Sequence, residues 1–459
     1  MSEKIKRDSD YLFQTPNPMK FDLTKILIPF VYFIAGATSL AGVATTFYYK
    51  DDLHLSIQQV QFLASIAIIP WSIKPIYGFV SDLRPVFGLR RKPYLFLAGL
   101  LGAAGYFSMA TWVTGFWGAA LSSFVSAMGF ALADVIVDGI VAEKSRSQKE
   151  AGRLQSICRA AILVGALIVS YASGILVEQI GARNVFIITG TLPLFTSLFA
   201  LMVREGPLPD AKFSFRNTWR KFTSALTPAI LWSALFLFIW RSTPTSGGAF
   251  SYYLIDELHF TPEFFGRLAL ISHATGIVGI LLFRKFLLNI RLRTMFFWLM
   301  VASVVLSLPS IGLVYKWYEL IGVSPQFFAM ADTLIGGMLF ELGFLPLLVL
   351  VARVCPKGIE ATMFAILASV MNIGLSVSDL GGAALTSYFS VHSATATIAA
   401  DYSNLHIVMW IAILSSFLPL PLLSLLPETR TSEDTGAGGA PSGIIPMLTP
   451  MEPAKEQIS

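Results

Sequence analysis

Twelve apolar stretches recur along this chain of 459 residues, each near the roughly 20 residues that carry a helix across a bilayer. In lipid every backbone N–H and C=O has to be bonded internally, so stretches of this length can only be helices. They run over 26–48, 57–80, 94–113, 117–141, 154–177 and 185–203, then 224–246, 264–283, 294–315, 327–352, 361–389 and 405–427. The composition is 55% hydrophobic and 13% charged, where soluble domains carry about 25% charged residues. The fold class these features predict is an all-α, multi-pass integral membrane protein.

Charge orients the helices, because Lys and Arg accumulate in cytoplasmic segments. Of the 33 basic residues, about 26 fall in the tails and even-numbered loops, about 4 (Lys50, Arg183, Lys316 and, at the outer end of the eighth span, Arg267) on the outer side, and 3 (Lys74, Arg159 and Arg241) well inside spans. Both termini are therefore expected to be cytoplasmic, and the net charge of +5 needs no nucleic-acid partner. The tail 1–25 mixes Lys4, Lys6 and Arg7 with Glu3, Asp8 and Asp10 and has no apolar core, so no cleavable signal or acid-poor transit peptide is expected. The tail 428–459, rich in Gly, Pro, Ser and Thr, is expected to be disordered. Cys158 and Cys355 fall near cytoplasmic helix ends and read as free thiols.

An internal repeat divides the chain. Val141-Ala142 with Glu150-Ala151 recurs as Val351-Ala352 with Glu360-Ala361, which maps spans four and five onto ten and eleven. Two six-helix halves, 26–203 and 224–427, are expected on either side of a basic cytoplasmic linker, 204–223. Parallel halves of this kind place a binding site near the midplane.

Ionisable residues inside spans are costly, roughly 2.5 to 3.5 kcal/mol on insertion scales, and usually functional. Lys74, Arg159 and Arg241 need counter-charges, and Asp134, Asp138, Asp332, Glu341 and Asp379 are available. Asp134 and Asp138 lie one helical turn apart and can share a face. Each has a structural alternative: Lys74 pairing with Asp134 or Asp138, Arg159 snorkelling to the inner surface, and Glu341 or Asp379 tying helices together. Asp332 lies nearer the outer end. Arg241 precedes Ser242-Thr243-Pro244-Thr245-Ser246-Gly247-Gly248, where Pro and Gly can break a helix and turn backbone groups toward a cavity. His273, alone on an apolar span, reads as a packing residue. There is no Gly-x-x-x-x-Gly-Lys-Ser/Thr loop, His-Glu-x-x-His helix or Gly-x-Ser-x-Gly elbow, which argues against an ATP-driven pump or a membrane enzyme.

The loop after span two, with Gly78, Asp82, Arg84, Gly88, Arg90, Arg91 and Lys92 in order, resembles the signature loop of the major facilitator superfamily, with extra residues between Asp82 and Gly88. Further segments resemble the folate-biopterin transporter family: Ala133-Asp134-Val135-Ile136-Val137-Asp138-Gly139, Thr243-Pro244-Thr245, Glu257 to Gly266, Cys355 to Thr362, and Ser378-Asp379-Leu380-Gly381. The resemblance implies a twelve-helix carrier, monomeric and surrounded by lipid, that moves folates or pterins by alternating access, in a plasma or organelle membrane. It also implies that Gly78, Asp82, Arg84, Gly88 and Arg91 form a gating loop.

Lys74, Arg159 and Arg241 suit the carboxylates of such a substrate. Asp134 and Asp138, with Glu341 and Asp379, suit proton coupling, since neighbouring carboxylates favour protonation of one of them. Tyr77, Trp240, Tyr252 and Tyr253 are stacking candidates. No cofactor or metal is expected. A carrier of another organic anion, a channel, or a nontransporting sensor on the same scaffold remain as alternatives.

Overall fold

Backbone groups that cannot reach water bond within their own segment, and the computed structural model is accordingly almost all helix over the residues it describes. These are 23–144, 148–202, 205, 226–287, 290–355, 360–394 and 399–427; the two tails and nearly all of the linker lie outside them. The first half contains α1 (Leu23–Ala37), α2 (Ala41–Phe47), α3 (Ile57–Ser72), α4 (Lys74–Leu83), α5 (Lys92–Thr111), α6 (Phe116–Lys144), α7 (Gln148–Ile180) and α8 (Ala182–Met202). The second contains α9 (Pro228–Ser242), α10 (Gly247–Asp256), α11 (Pro262–Leu282), α12 (Leu292–Leu306), α13 (Leu308–Val314), α14 (Trp317–Leu320), α15 (Pro325–Val354), α16 (Glu360–Tyr388) and α17 (Leu405–Ser415).

Among the described residues, eleven helical runs are long and apolar enough to span a membrane, with ends within four residues of those expected. The protein is a multi-pass integral membrane protein. The seventh apolar segment is the exception, split into α9 and α10 by Thr243-Pro244-Thr245-Ser246. Pro244 has no N–H to continue the ladder. Groups freed there find partners on other helices: Thr245 N–H bonds the Ser378 carbonyl at 3.3 Å, Ser378 Oγ donates to the Thr243 carbonyl, and Gln61 Nε2 donates to the Thr245 carbonyl at 3.2 Å.

The first segment changes helix type at a similar depth but stays helical throughout. α1, like α9, is 15 residues long, and a 3₁₀ turn over Thr38–Leu40 separates it from α2. Beyond both points runs a repeat that the sequence reading missed: Asp51-Asp52-Leu53-His54 recurs 205 positions later as Asp256-Glu257-Leu258-His259. His54 and His259 both take a left-handed backbone (φ 49° and 52°). Two residues on, Ser56 and Thr261 cap α3 and α11 by accepting the N–H of Gln59 and Phe264.

The end of the molecule that carries the turn over Val86–Leu89 is here called the terminal face, and the end that carries Asp51 and Asp256 the opposite face. The halves meet where α3 packs on α16 and α7 on α11. Bonds across the first contact join Gln58 Nε2 to the Val391 carbonyl (3.1 Å), Ser376 Oγ to the Ser65 carbonyl (3.3 Å) and Asn372 Nδ2 to the Trp71 carbonyl (3.0 Å). Across the second, a Cβ on Gly174 would lie 2.1 Å from the Pro262 carbonyl oxygen, so only glycine permits this approach. The apolar cores reveal the conformation. On the opposite face they bridge the halves, with Ile57 packed among Tyr252, Tyr253 and Phe260, and Phe265 beside Phe47. Toward the terminal face, each is confined to one half, around Leu27, Leu95 and Ile136 in the first and Phe236, Phe296 and Leu350 in the second.

Candidate functional site

On the terminal face, Val86 and Leu89 exchange backbone bonds of 2.9 and 3.0 Å around Phe87 and Gly88. Both central residues have positive φ (53° and 76°), the type I′ geometry for which glycine is suited. This turn delivers Arg91, which is buried, with Nη1 donating to Ser81 Oγ at 3.0 Å. The Arg91 guanidinium lies over Gly139, where a Cβ would fall 2.8 Å from Cζ, and a Cβ on Gly78 would just touch Val135. The loop is thereby fastened to α6 beside Asp138. Arg84 is exposed, and its carbonyl accepts from Tyr94 Oη at 2.6 Å. The Asp82 side chain lies outside the described residues. Glu205, not singled out in the basic linker, accepts the N–H groups of Arg90, Arg91 and Lys92 at 2.6 to 3.1 Å. It thus places a carboxylate on the positive N-terminus of α5.

Deeper in the first half, Lys74 begins α4, where Pro75 interrupts the ladder after Ile73. Its Nζ pairs with Asp134 Oδ2 at 2.6 Å and sits 4.4 Å from the centre of the Trp71 ring. One turn along α6, Asp138 accepts from Tyr32 Oη at 2.7 Å. The two aspartates therefore hold different partners.

Near the middle of the molecule, residues of the two halves converge on one ring. Arg159 of α7 reaches across to Glu341 of α15, with Nη2 at 3.3 and 3.4 Å from the two carboxylate oxygens. Glu341 is only 5% exposed. The Arg159 guanidinium stands 5.9 Å from the Phe344 ring centre and that of Arg241, the penultimate residue of α9, 5.8 Å from it. Arg241 differs from the other intramembrane cations: its Nε is buried without a hydrogen-bond partner. Among the described residues no carboxylate lies within ion-pair distance of it, although Asp379 is near enough to act on it electrostatically. Gly374 makes room for it, since a Cβ there would lie 2.9 Å from Arg241 Cβ. Arg159 thus does not simply snorkel, and Asp332 stands apart from the cluster, accepting from Ser310 Oγ at 2.9 Å. His273 also joins the halves: its Nδ1 lies 2.8 Å from the Ala269 carbonyl and 2.9 Å from Ser170 Oγ.

At the opposite face a second cross-half ion pair closes the molecule. Lys50 Nζ meets Asp256 Oδ1 at 2.5 Å, with both side chains 11% exposed. Tyr402 Oη donates to Asp256 Oδ2 at 2.6 Å. Burial, and then that bond to Asp256, hold the Tyr402 phenol well above the usual tyrosine range, which keeps it a donor. Below this latch lies a cavity of about 550 Å³ between α2, α3, α5, α6 and α10.

Comparison with known proteins agrees with this architecture. The BT1 family pattern matches residues 35–441. A folate-biopterin transporter of Synechocystis is 36% identical over 419 residues, covering 90% of this chain and 83% of its own length. Folate transporter 2 of Plasmodium falciparum is 28% identical, with 90% of each chain covered. Among solved structures, the D-xylose-proton symporter superposes with a TM-score of 0.65 at 14% identity, over 90% of this chain and 99% of that one. The nucleoside transporter NupG gives 0.61 at 15%, over 88% and 99%. At that identity the structural likeness establishes the fold, that of major facilitator transporters, while the family pattern and the sequence relatives establish descent: this chain belongs to the BT1 family, the folate-biopterin transporter family its motifs resemble.

Proposed function

We propose that this protein is a secondary carrier that moves folates or pterins across its membrane by alternating access, coupled to protons. The observation that carries the reading is the convergence of Arg159 and Arg241, one from each half, on Phe344, with Arg241 half-buried and its Nε buried without a partner. A guanidinium N–H withdrawn from water without a partner is disfavoured, and two cations meeting inside the membrane-spanning region suit an anion. The glutamate part of a folate supplies carboxylates for bidentate contact, and the relatives named as folate transporters align with 90% of this chain. Because the cations belong to different halves, a bound carboxylate draws the halves together, as a carrier requires.

The same geometry supports coupling. A substrate carboxylate that takes Arg159 removes the partner of Glu341, which is buried and has only long contacts to that arginine. An unpaired carboxylate in that place is most readily neutralised by a proton, so substrate and proton load together. With about 26 of 33 basic residues in the tails and even loops, the terminal face is read as cytoplasmic and the described conformation as closed to the outside.

Uptake of labelled folate into proteoliposomes, with and without an inward proton gradient, tests this. The expected result is saturable, gradient-stimulated uptake by the wild type, and uptake that no longer responds to the gradient in Glu341→Gln. Equal gradient stimulation in wild type and Glu341→Gln would contradict the coupling role.

A further inference from the structure

Resting on the folate or pterin reading above, we propose that the 550 Å³ cavity beneath the latch is the seat of the flat heteroaromatic end of the substrate, with Arg159 and Arg241 holding its carboxylate end. The size is that of a small-molecule site. Its walls carry Tyr49, Trp71, Tyr106, Phe130 and Tyr252, and aromatic faces of this kind stack on a flat heterocycle. An acyl chain would require no such rings. The polar groups fit the edge of a heterocycle bearing both donors and acceptors: Tyr49 Oη and Ser123 Oγ form a hydroxyl pair at 2.8 Å, and both residues line the cavity. Tyr252 is 1% exposed, and its hydroxyl is buried with no partner.

The cavity belongs to both halves. Gly247, Gly248 and Ser251 of α10 form one wall, against α2, α3 and α6 of the first half. It therefore has this shape only while the halves are closed together at the opposite face.

Trp71 ties the cavity to the charged cluster. Its ring touches Lys74, its carbonyl accepts from Asn372, and two residues further along α16 Gly374 packs on Arg241. On the other side, only the break over Thr243–Ser246 separates Arg241 from the wall at Gly247. A molecule with a flat ring at one end and carboxylates at the other can span this path.

Displacement of labelled folate from the purified full-length protein tests the assignment, with unsubstituted pterin and p-aminobenzoylglutamate as competitors. Ala67→Phe, which fills the cavity, and Trp71→Leu, which removes a ring, are each expected to weaken pterin about tenfold or more, as loss of one stacking contact does. Each should change p-aminobenzoylglutamate by less than about twofold. Arg241→Gln should do the reverse, which separates these effects from misfolding. Pterin competition unchanged in Ala67→Phe and Trp71→Leu, while Arg241→Gln still weakens p-aminobenzoylglutamate, would overturn the cavity assignment and leave the folate reading standing. Wild-type protein that binds no labelled folate would overturn both.

Discussion

Arg241 owes its availability to its surroundings. Phe344 offers a ring face, Gly374 leaves space, and the helix ends one residue later, so nothing described here pairs with its Nε. A planar guanidinium holds a carboxylate by two parallel bonds, whereas an ammonium acts as a point charge. Arg241→Lys is therefore expected to keep the charge yet raise the half-saturating folate concentration about tenfold, a loss of about 1.4 kcal/mol; unchanged affinity would remove Arg241 from the site. Residues such as this were legible beforehand because an intramembrane charge is conspicuous against an apolar background. Their partners were not. Lys74 had two candidate aspartates one turn apart, and only packing decides for Asp134. Glu205 was not singled out and the pairing of Lys50 was not foreseen because each sits among other charges at a helix end, where composition draws no distinction between an ion-pair partner and a solvated side chain.

At the scale of elements, most spans follow from length and hydropathy alone, and the break between α9 and α10 follows from Pro244, Gly247 and Gly248. The change of helix type after α1 did not, since Thr38-Ser39-Leu40 contains neither proline nor glycine. The repeated turns, Asp52-Leu53-His54 and Glu257-Leu258-His259, explain why the latch is built where it is. Both first helices of the halves end at the opposite face with an acidic pair, and Lys50 of one reaches Asp256 of the other. Removing one member of a buried pair costs about 3 to 5 kcal/mol, a large part of the roughly 5.5 kcal/mol that inverts a 99:1 equilibrium. Lys50→Met should therefore favour opening at this face. With Cys158 and Cys355 replaced by serine, Ser251→Cys should react several-fold faster with an impermeant maleimide in the Lys50→Met background, and the exchanged pair Lys50→Asp with Asp256→Lys should restore slow labelling. Labelling indifferent to both changes would deny the pair a gating role.

Across the whole molecule, the cores and polar bonds describe a carrier held shut at one end. The shared cores lie toward the opposite face, those toward the terminal face stay within one half, and the cation cluster lies between. A central site exposed to one face at a time is what alternating access requires. Eleven of the spans could be read from sequence because length and hydropathy sum over many residues; the conformation could not, because it depends on which of two nearly equivalent packings the halves adopt. The most direct test is counterflow. Proteoliposomes preloaded with unlabelled folate should take up labelled folate faster than empty ones, with saturation, and Arg241→Gln should abolish the effect. Flux that neither saturates nor responds to preloading, or folate binding with no flux at all, would contradict a carrier.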